Sequence, residues 1–140
     1  MRLERGSAPL WFLGLSVCVL MVGAMSAELW RAMGERQELV AMADAAAIAG
    51  AAVIDMDHYR VSGRVRIDVE QATIRALAVI DGHSGGRDLS SIPLIKFAAD
   101  GSSVRIELTR EVRFGLLRIL SLEDDRFTVT GTAVAYPHSP

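Results

Sequence analysis

Cysteine occurs once in the 140-residue chain, at Cys18, which excludes an intrachain disulfide and any cysteine-based zinc site. An excess of one charge is missing too: 15 Lys and Arg against 17 Asp and Glu leave a formal net charge of −2, with no basic or acidic tail at either end. A nucleic-acid partner recruited by bulk charge is therefore not expected. Histidine is limited to His58, His83 and His138, in three separate segments. The most informative gap is local, because no charged residue stands between Arg5 and Glu28.

Hydrophobic residues make up 51% of the chain, and that uncharged stretch concentrates them. As a helix, residues 8–27 rise about 30 Å, the thickness of a bilayer hydrocarbon core. Pro9 sits in the first turn, where a helix tolerates it, and Trp11 and Trp30 flank the stretch where amphipathic rings favour the membrane interfaces. The spacing predicts a transmembrane helix over 8–27 behind a short cytoplasmic segment, 1–7. Arg2 and Arg5 on one side balance Arg31 and Arg36 on the other, and the amino terminus tips the orientation toward N-inside. The expected location is the cell membrane, with the C-terminal part outside.

A cleaved signal peptide is the competing reading, with Val22-Gly23-Ala24 or Ala24-Met25-Ser26 as cleavage-like sites. The apolar stretch exceeds the usual h-region and helix-forming sequence continues beyond it, so an anchor is the better expectation. Cys18 follows Leu15-Ser16-Val17, but the bulky Val17 and the apolar residues after the cysteine argue for an inert membrane-buried thiol rather than a lipoprotein site.

From Glu28 to Val53 there is no proline, and Ala, Met, Leu, Glu and Arg abound, so the helix is expected to continue over 28–54. Leu29, Met33, Val40, Ala43 and Ala47 suggest one buried stripe, while Glu28, Arg31, Glu35 and Glu38 can pair locally. Small residues over Ala41–Ala52 permit close approach of another element, and a packed helix is the simplest account.

The remainder reads as a connector over 55–68 and a small domain over 69–140, an α+β arrangement of one helix and about three antiparallel strands. Val61 to Ile67 alternates as a strand would, yet Asp68 followed by Gln71 is a capping-box pattern, with Ile67 and Ala72 as its staple. That pattern predicts a helix from about Val69 to Ile80 that buries Ala72, Ala76 and Val79 or Ile80. A glycine-rich loop follows over Gly82–Ser91. Ile92–Ala98 and Ser103–Phe114 are expected as strands joined at Asp100-Gly101. Val104, Ile106, Leu108, Val112 and Phe114 share a face that Arg110 interrupts, which a bulge or an edge position would explain. Leu116–Leu122 fits a helical turn or a strand, and Phe127–Tyr136 alternates as a final strand.

Candidate chemistry is thin. Gly82-His83-Ser84-Gly85-Gly86 matches G-x-S-x-G, the turn that presents a nucleophilic serine between a strand and a helix, but here it follows a predicted helix. Asp55, Asp57 and His58 carry ligand-type side chains, but a polar helix terminus is the far commoner origin of such a group and no metal site is expected. Glu28, at the edge of the apolar stretch, is expected to be neutralised by Arg31 one turn later.

Arg5-Gly6-Ser7, the apolar span, Ala27-Glu28-Leu29-Trp30-Arg31, Glu35-Arg36-Gln37-Glu38-Leu39 and Ala43-Asp44-Ala45-Ala46-Ala47-Ile48-Ala49-Gly50-Ala51 together resemble the N-terminal segment of TadG-like and TadE-like Flp pilus-assembly proteins. The likeness covers about residues 5–54, with Glu28 where that family commonly has Asp. Cleavage after Gly6 by a prepilin peptidase would leave Trp11, not glutamate, at the fifth position of the mature chain. The resemblance implies a single-pass envelope protein of a pilus-assembly or secretion system, without enzyme activity, cofactor, metal or small-molecule substrate. Its expected partners are the lipid bilayer and other assembly proteins. Glu28, Arg31, Asp44, Ala45, Ala46 and Ala49 are the candidate contact residues.

Overall fold

Residues 7–113 and 126–138 are described by a computed structural model, and they form an α+β fold. Its first element, α1 (Ser7–Ala51), is one helix of 45 residues, about 67 Å long. Its only proline is Pro9, in the first turn, so nothing removes a hydrogen bond from its interior. The surroundings of α1 change along its length. From Pro9 to Ala27 the helix is almost wholly exposed, whereas from Leu39 onward one face is buried.

That buried face consists of Leu39, Met42, Ala43, Ala46, Ala47, Gly50 and Ala51, recurring three and four residues apart. It differs from the stripe suggested by the sequence. Leu29 and Met33 are 58% and 59% exposed and Val40 is 38% exposed, leaving only Ala43 and Ala47 of that set buried. The sheet that α1 packs against selects the face, and hydrophobic spacing alone was compatible with a neighbouring phase.

The connector contains a short helix, α2 (Met56–Ser62), where a strand over Val61–Ile67 was an alternative. Asp55 caps α2 by accepting the His58 N–H at 2.9 Å, and the Gly63 N–H closes it on the Tyr59 carbonyl. Only Ile67 keeps a strand-like contact, an isolated antiparallel bridge with Ile54. Helix α3 (Val69–Gly82) begins as expected: the Asp68 carboxylate accepts from the Glu70 and Gln71 N–H groups, and the staple residues Ile67 and Ala72 are both buried. The N–H of Asp68 itself donates to the Val53 carbonyl, so a tertiary bond satisfies this donor. Ala72, Ala76 and Ile80 form the buried side of α3.

Three strands, β1 (Leu94–Phe97), β2 (Val104–Arg113) and β3 (Arg126–Ala135), pair antiparallel in the order β1-β2-β3. Val104, Ile106, Leu108 and Val112 of β2 face the core, as do Gly131, Ala133 and Ala135 of β3. Phe114 and Leu116–Leu122 lie outside the described residues. Between β1 and β2 a six-residue connection, 98–103, turns the chain, with the Ala98 N–H donating to the Ser103 carbonyl at 3.0 Å. Asp100 accepts hydrogen bonds there from the Ser102 hydroxyl at 2.6 Å and the Ser102 N–H at 3.0 Å. These bonds, the hydroxyl first, hold the Asp100 carboxyl below its ordinary value.

A single helix, Val69–Ile80, was expected across this sheet. Instead α1 lies on β2 and β3, and α3 packs beside α1. The common core joins Leu39, Met42, Ala46 and Ala47 of α1 with Ala72, Ala76 and Ile80 of α3 and Val104, Ile106 and Leu108 of β2. Small side chains make this possible. A Cβ on Gly131 would fall 2.8 Å from the Leu39 carbonyl carbon and 2.9 Å from both the Leu39 Cβ and the Val40 nitrogen, so the strand backbone directly underlies the helix backbone.

Candidate functional site

Arg110 interrupts an otherwise apolar strand face, and neither a bulge nor an edge position accounts for it. β2 is the central strand, and its pairing with β3 runs one residue to one from Val104↔Ala135 to Arg113↔Arg126. Arg110 points inward, only 7% exposed, because α1 brings two acids to meet it. Glu35 and Glu38 are three residues apart and so lie on one side of the helix. Arg110 Nη1 donates to Glu35 Oε2 at 2.6 Å and to Glu38 Oε2 at 3.5 Å, and its Nη2 donates to the Gly85 carbonyl at 2.7 Å. The three segments α1, β2 and the loop after α3 are thereby joined through one guanidinium.

The expected local pairing of acids and arginines along α1 gives way to this tertiary pairing. A buried guanidinium needs counter-charge far more than an exposed arginine does, since loss of a partner leaves a charge stranded away from water. The Arg110 Nε and the His83 Nδ1 are buried without a hydrogen-bond partner among the described residues. Glu35, Glu38, Ser84, Gly85, Asp88, Arg110 and Glu111 line an open depression of about 420 Å³ around the cluster.

The Gly82–Gly86 stretch takes its role from this cluster. It follows α3 and leads into a 3₁₀ turn, Gly86–Asp88, so the strand-turn-helix setting of a nucleophile elbow is absent from it. Ser84 is exposed and makes no hydrogen bond among the described residues. Gly85 lies against the cluster. A Cβ there would collide with Arg110 Nη2 and Glu38 Oε1, so a larger residue would oblige these two side-chain ends to shift, whereas a Cβ on Gly86 would collide with the backbone carbonyl of Ile80.

The other residues singled out by the sequence do not form one surface. Glu28 is half-buried on α1. Arg31 is exposed, makes no ion pair among the described residues, with Glu28 or any other acid, and shares a cleft of about 260 Å³ with Glu35, Arg110, Glu111, Val112 and Arg113. Asp44 and Ala45 are exposed, Ala49 is half-buried, and Ala46 is fully buried in the core of its own chain. Asp55 is occupied in capping α2, and Asp57 pairs with Arg60 at 3.6 Å on the surface. Among the described residues no group of three or more His, Cys, Asp or Glu side chains converges as a metal site would require. The Glu35, Glu38 and Arg110 cluster was not singled out as a unit. Its signals were two acids three residues apart and one arginine at an inward strand position, 72 to 75 residues away.

No family model, curated protein or solved structure matches the chain.

Proposed function

We propose that this chain is a single-pass membrane protein that serves as a structural or assembly component of a bacterial Flp-type (tight-adherence) pilus or related secretion system. One observation carries the anchoring part. A single unbroken helix presents a fully exposed apolar stretch near its N-terminus, long and apolar enough to cross a membrane, and then becomes the core of the folded domain. Leu10, Trp11, Phe12, Leu13, Val19, Leu20 and Met25 are each more than 60% exposed, a continuous apolar surface well beyond what a monomer leaves in water. Lipid is its natural cover.

The assembly part rests on the likeness of residues 5–54 to TadG-like and TadE-like segments. In this reading the N-terminus is cytoplasmic, the domain lies outside the cell membrane, and the chain performs no catalytic step. Arg110 and its acids serve to brace the domain against the anchor. Carbonate extraction with protease accessibility in spheroplasts tests the arrangement. Membrane retention with a cleavable C-terminal domain is expected, and release into the soluble fraction or protection of the domain overturns it. Co-purification with other envelope assembly proteins tests the role.

A second reading, a membrane-anchored exported binding module without a filament role, draws support from Ala43, Ala46 and Ala47. These alanines pack inside the chain's own core and are thus unavailable to a partner. Leucine at exposed Ala45 separates the two readings, since only an assembly contact there would lose partner recovery.

A further inference from the structure

The length of α1 sets the height of the domain above the membrane. Arg31 is four residues past Ala27, about 6 Å further along the axis. Glu35 and Glu38 stand about 12 to 16 Å past Ala27 and hold Arg110 at that height. At the other end of the contact, Gly50 lies beside Val104. From Gly50 back to Glu35 and Glu38 is about 20 Å along the helix. From Val104 to Arg110 is about 20 Å along the strand, so β2 runs nearly antiparallel to α1, back toward the apolar stretch.

Arg113, three residues beyond Arg110, therefore comes about 10 Å nearer to that stretch, within a few ångströms of the height of Arg31. The cleft lined by both arginines agrees with this. Arg126 is the cross-strand partner of Arg113, and both are exposed. Like charges placed opposite each other on a sheet repel. None of Arg31, Arg113 and Arg126 has an ion-pair or hydrogen-bond partner among the described residues. Glu111 shares the cleft, but it stands two residues further from the membrane and opposite Thr128.

We propose that Arg31, Arg113 and Arg126 form a basic rim that rests on the membrane and binds the phosphates of anionic lipid headgroups. This rests on the anchoring reading above. With the hydrocarbon ending near Ala27, headgroups occupy roughly the next 5 to 7 Å, the level that these guanidinium groups reach. A guanidinium binds phosphate through paired N–H donors, and an anion between Arg113 and Arg126 relieves their repulsion.

The test uses the full chain carrying Cys18→Ser, reconstituted in vesicles of mixed phosphatidylcholine and phosphatidylglycerol. A fluorophore is placed next to the rim through Thr128→Cys, two residues along β3 from Arg126, or on exposed α2 through Val61→Cys. Headgroup-labelled quencher versions of the two lipids are then compared in the same vesicles. At Thr128 the phosphatidylglycerol quencher is expected to outperform the phosphatidylcholine quencher, with no difference at Val61. Each Arg→Gln change should lower the preference about fivefold. The triple Arg→Lys variant should retain it, and high salt should weaken it.

Equal quenching by both lipids at Thr128, or a preference unmoved by the triple Arg→Gln variant, overturns the inference while leaving the anchor intact. Selective loss of the preference on adding inorganic phosphate at constant ionic strength also overturns it, by assigning the rim to a free ion. Carbonate extraction of the same vesicles reports separately on the anchor, since release of the protein refutes the reading on which the inference rests.

Discussion

Gly131 of β3 lies directly beneath Leu39 of α1, with the helix backbone closer than a Cβ would allow. At this point α1 passes from an exposed apolar rod into a buried core element. Among the described residues Leu39 is the first fully buried one of the helix, and Glu38 immediately before it reaches Arg110. The exposed apolar stretch and the domain are thus parts of one continuous helix, with no linker between them.

Gly131→Ala is expected to lift α1 from β3 or to strain both. Overpacking of this kind costs about 1–3 kcal/mol, several degrees of Tm for a domain this size. Thermal unfolding of the full chain in detergent measures it, with exposed Thr130→Ala as the reference. Equal melting of the two variants would show that the close contact is not maintained.

Arg110→Ala should destabilise the domain by about 3 kcal/mol, because Glu35 and Glu38 lose their counter-charge and the strand loses the side chain that fills the gap. Arg110→Met in a Glu35→Gln, Glu38→Gln background should be markedly milder, since an apolar side chain then meets neutral neighbours. Chemical denaturation distinguishes the two, and equal losses would indicate that packing volume, not charge pairing, governs the site.

Ser84→Ala should leave stability and any biological activity unchanged, whereas Gly85→Ala should displace Arg110 or Glu38 and lower the melting temperature. Labelling of the protein by a fluorophosphonate, abolished by Ser84→Ala, would contradict this assignment.

Leucine at Ala46 and at Ala45 should behave in opposite ways. Ala46 is buried, so Ala46→Leu overpacks the core and costs about 1–3 kcal/mol, while exposed Ala45 tolerates the change within about 0.5 kcal/mol. Partner recovery after Ala45→Leu then reports on assembly without interference from misfolding.

The β1–β2 turn contributes an acid-sensitive element. Ser102 holds the folded Asp100 carboxyl below its ordinary 3.8. The unfolded chain therefore takes up the proton first as pH falls. The stabilisation is complete above the ordinary value and is lost as pH drops through the folded one. The stability difference between the native chain and Asp100→Ala should accordingly be constant near neutrality and shrink below about pH 4. A difference that persists undiminished at lower pH would place the stabilisation elsewhere.

Local chemistry made much of the architecture legible. An uncharged stretch of bilayer length, a proline-free continuation, the Asp68 cap with its Ile67 and Ala72 staple, and period-two alternation over Val104–Val112 and Phe127–Ala135 each specify their element through interactions a few residues long. The α+β class and the three strands follow from them by themselves. Contacts between distant segments decided the rest. Hydrophobic spacing on α1 allowed more than one stripe, and the sheet selected the one beginning at Leu39. Val61 to Ile67 alternates like a strand, yet its first two residues, Val61 and Ser62, end the helix that Asp55 caps. Arg110 looked misplaced on its strand because the counter-charges that allow its burial, Glu35 and Glu38, lie more than 70 residues away. Whether an arginine is buried depends on what meets it in space, and only packing α1 onto β2 supplies that.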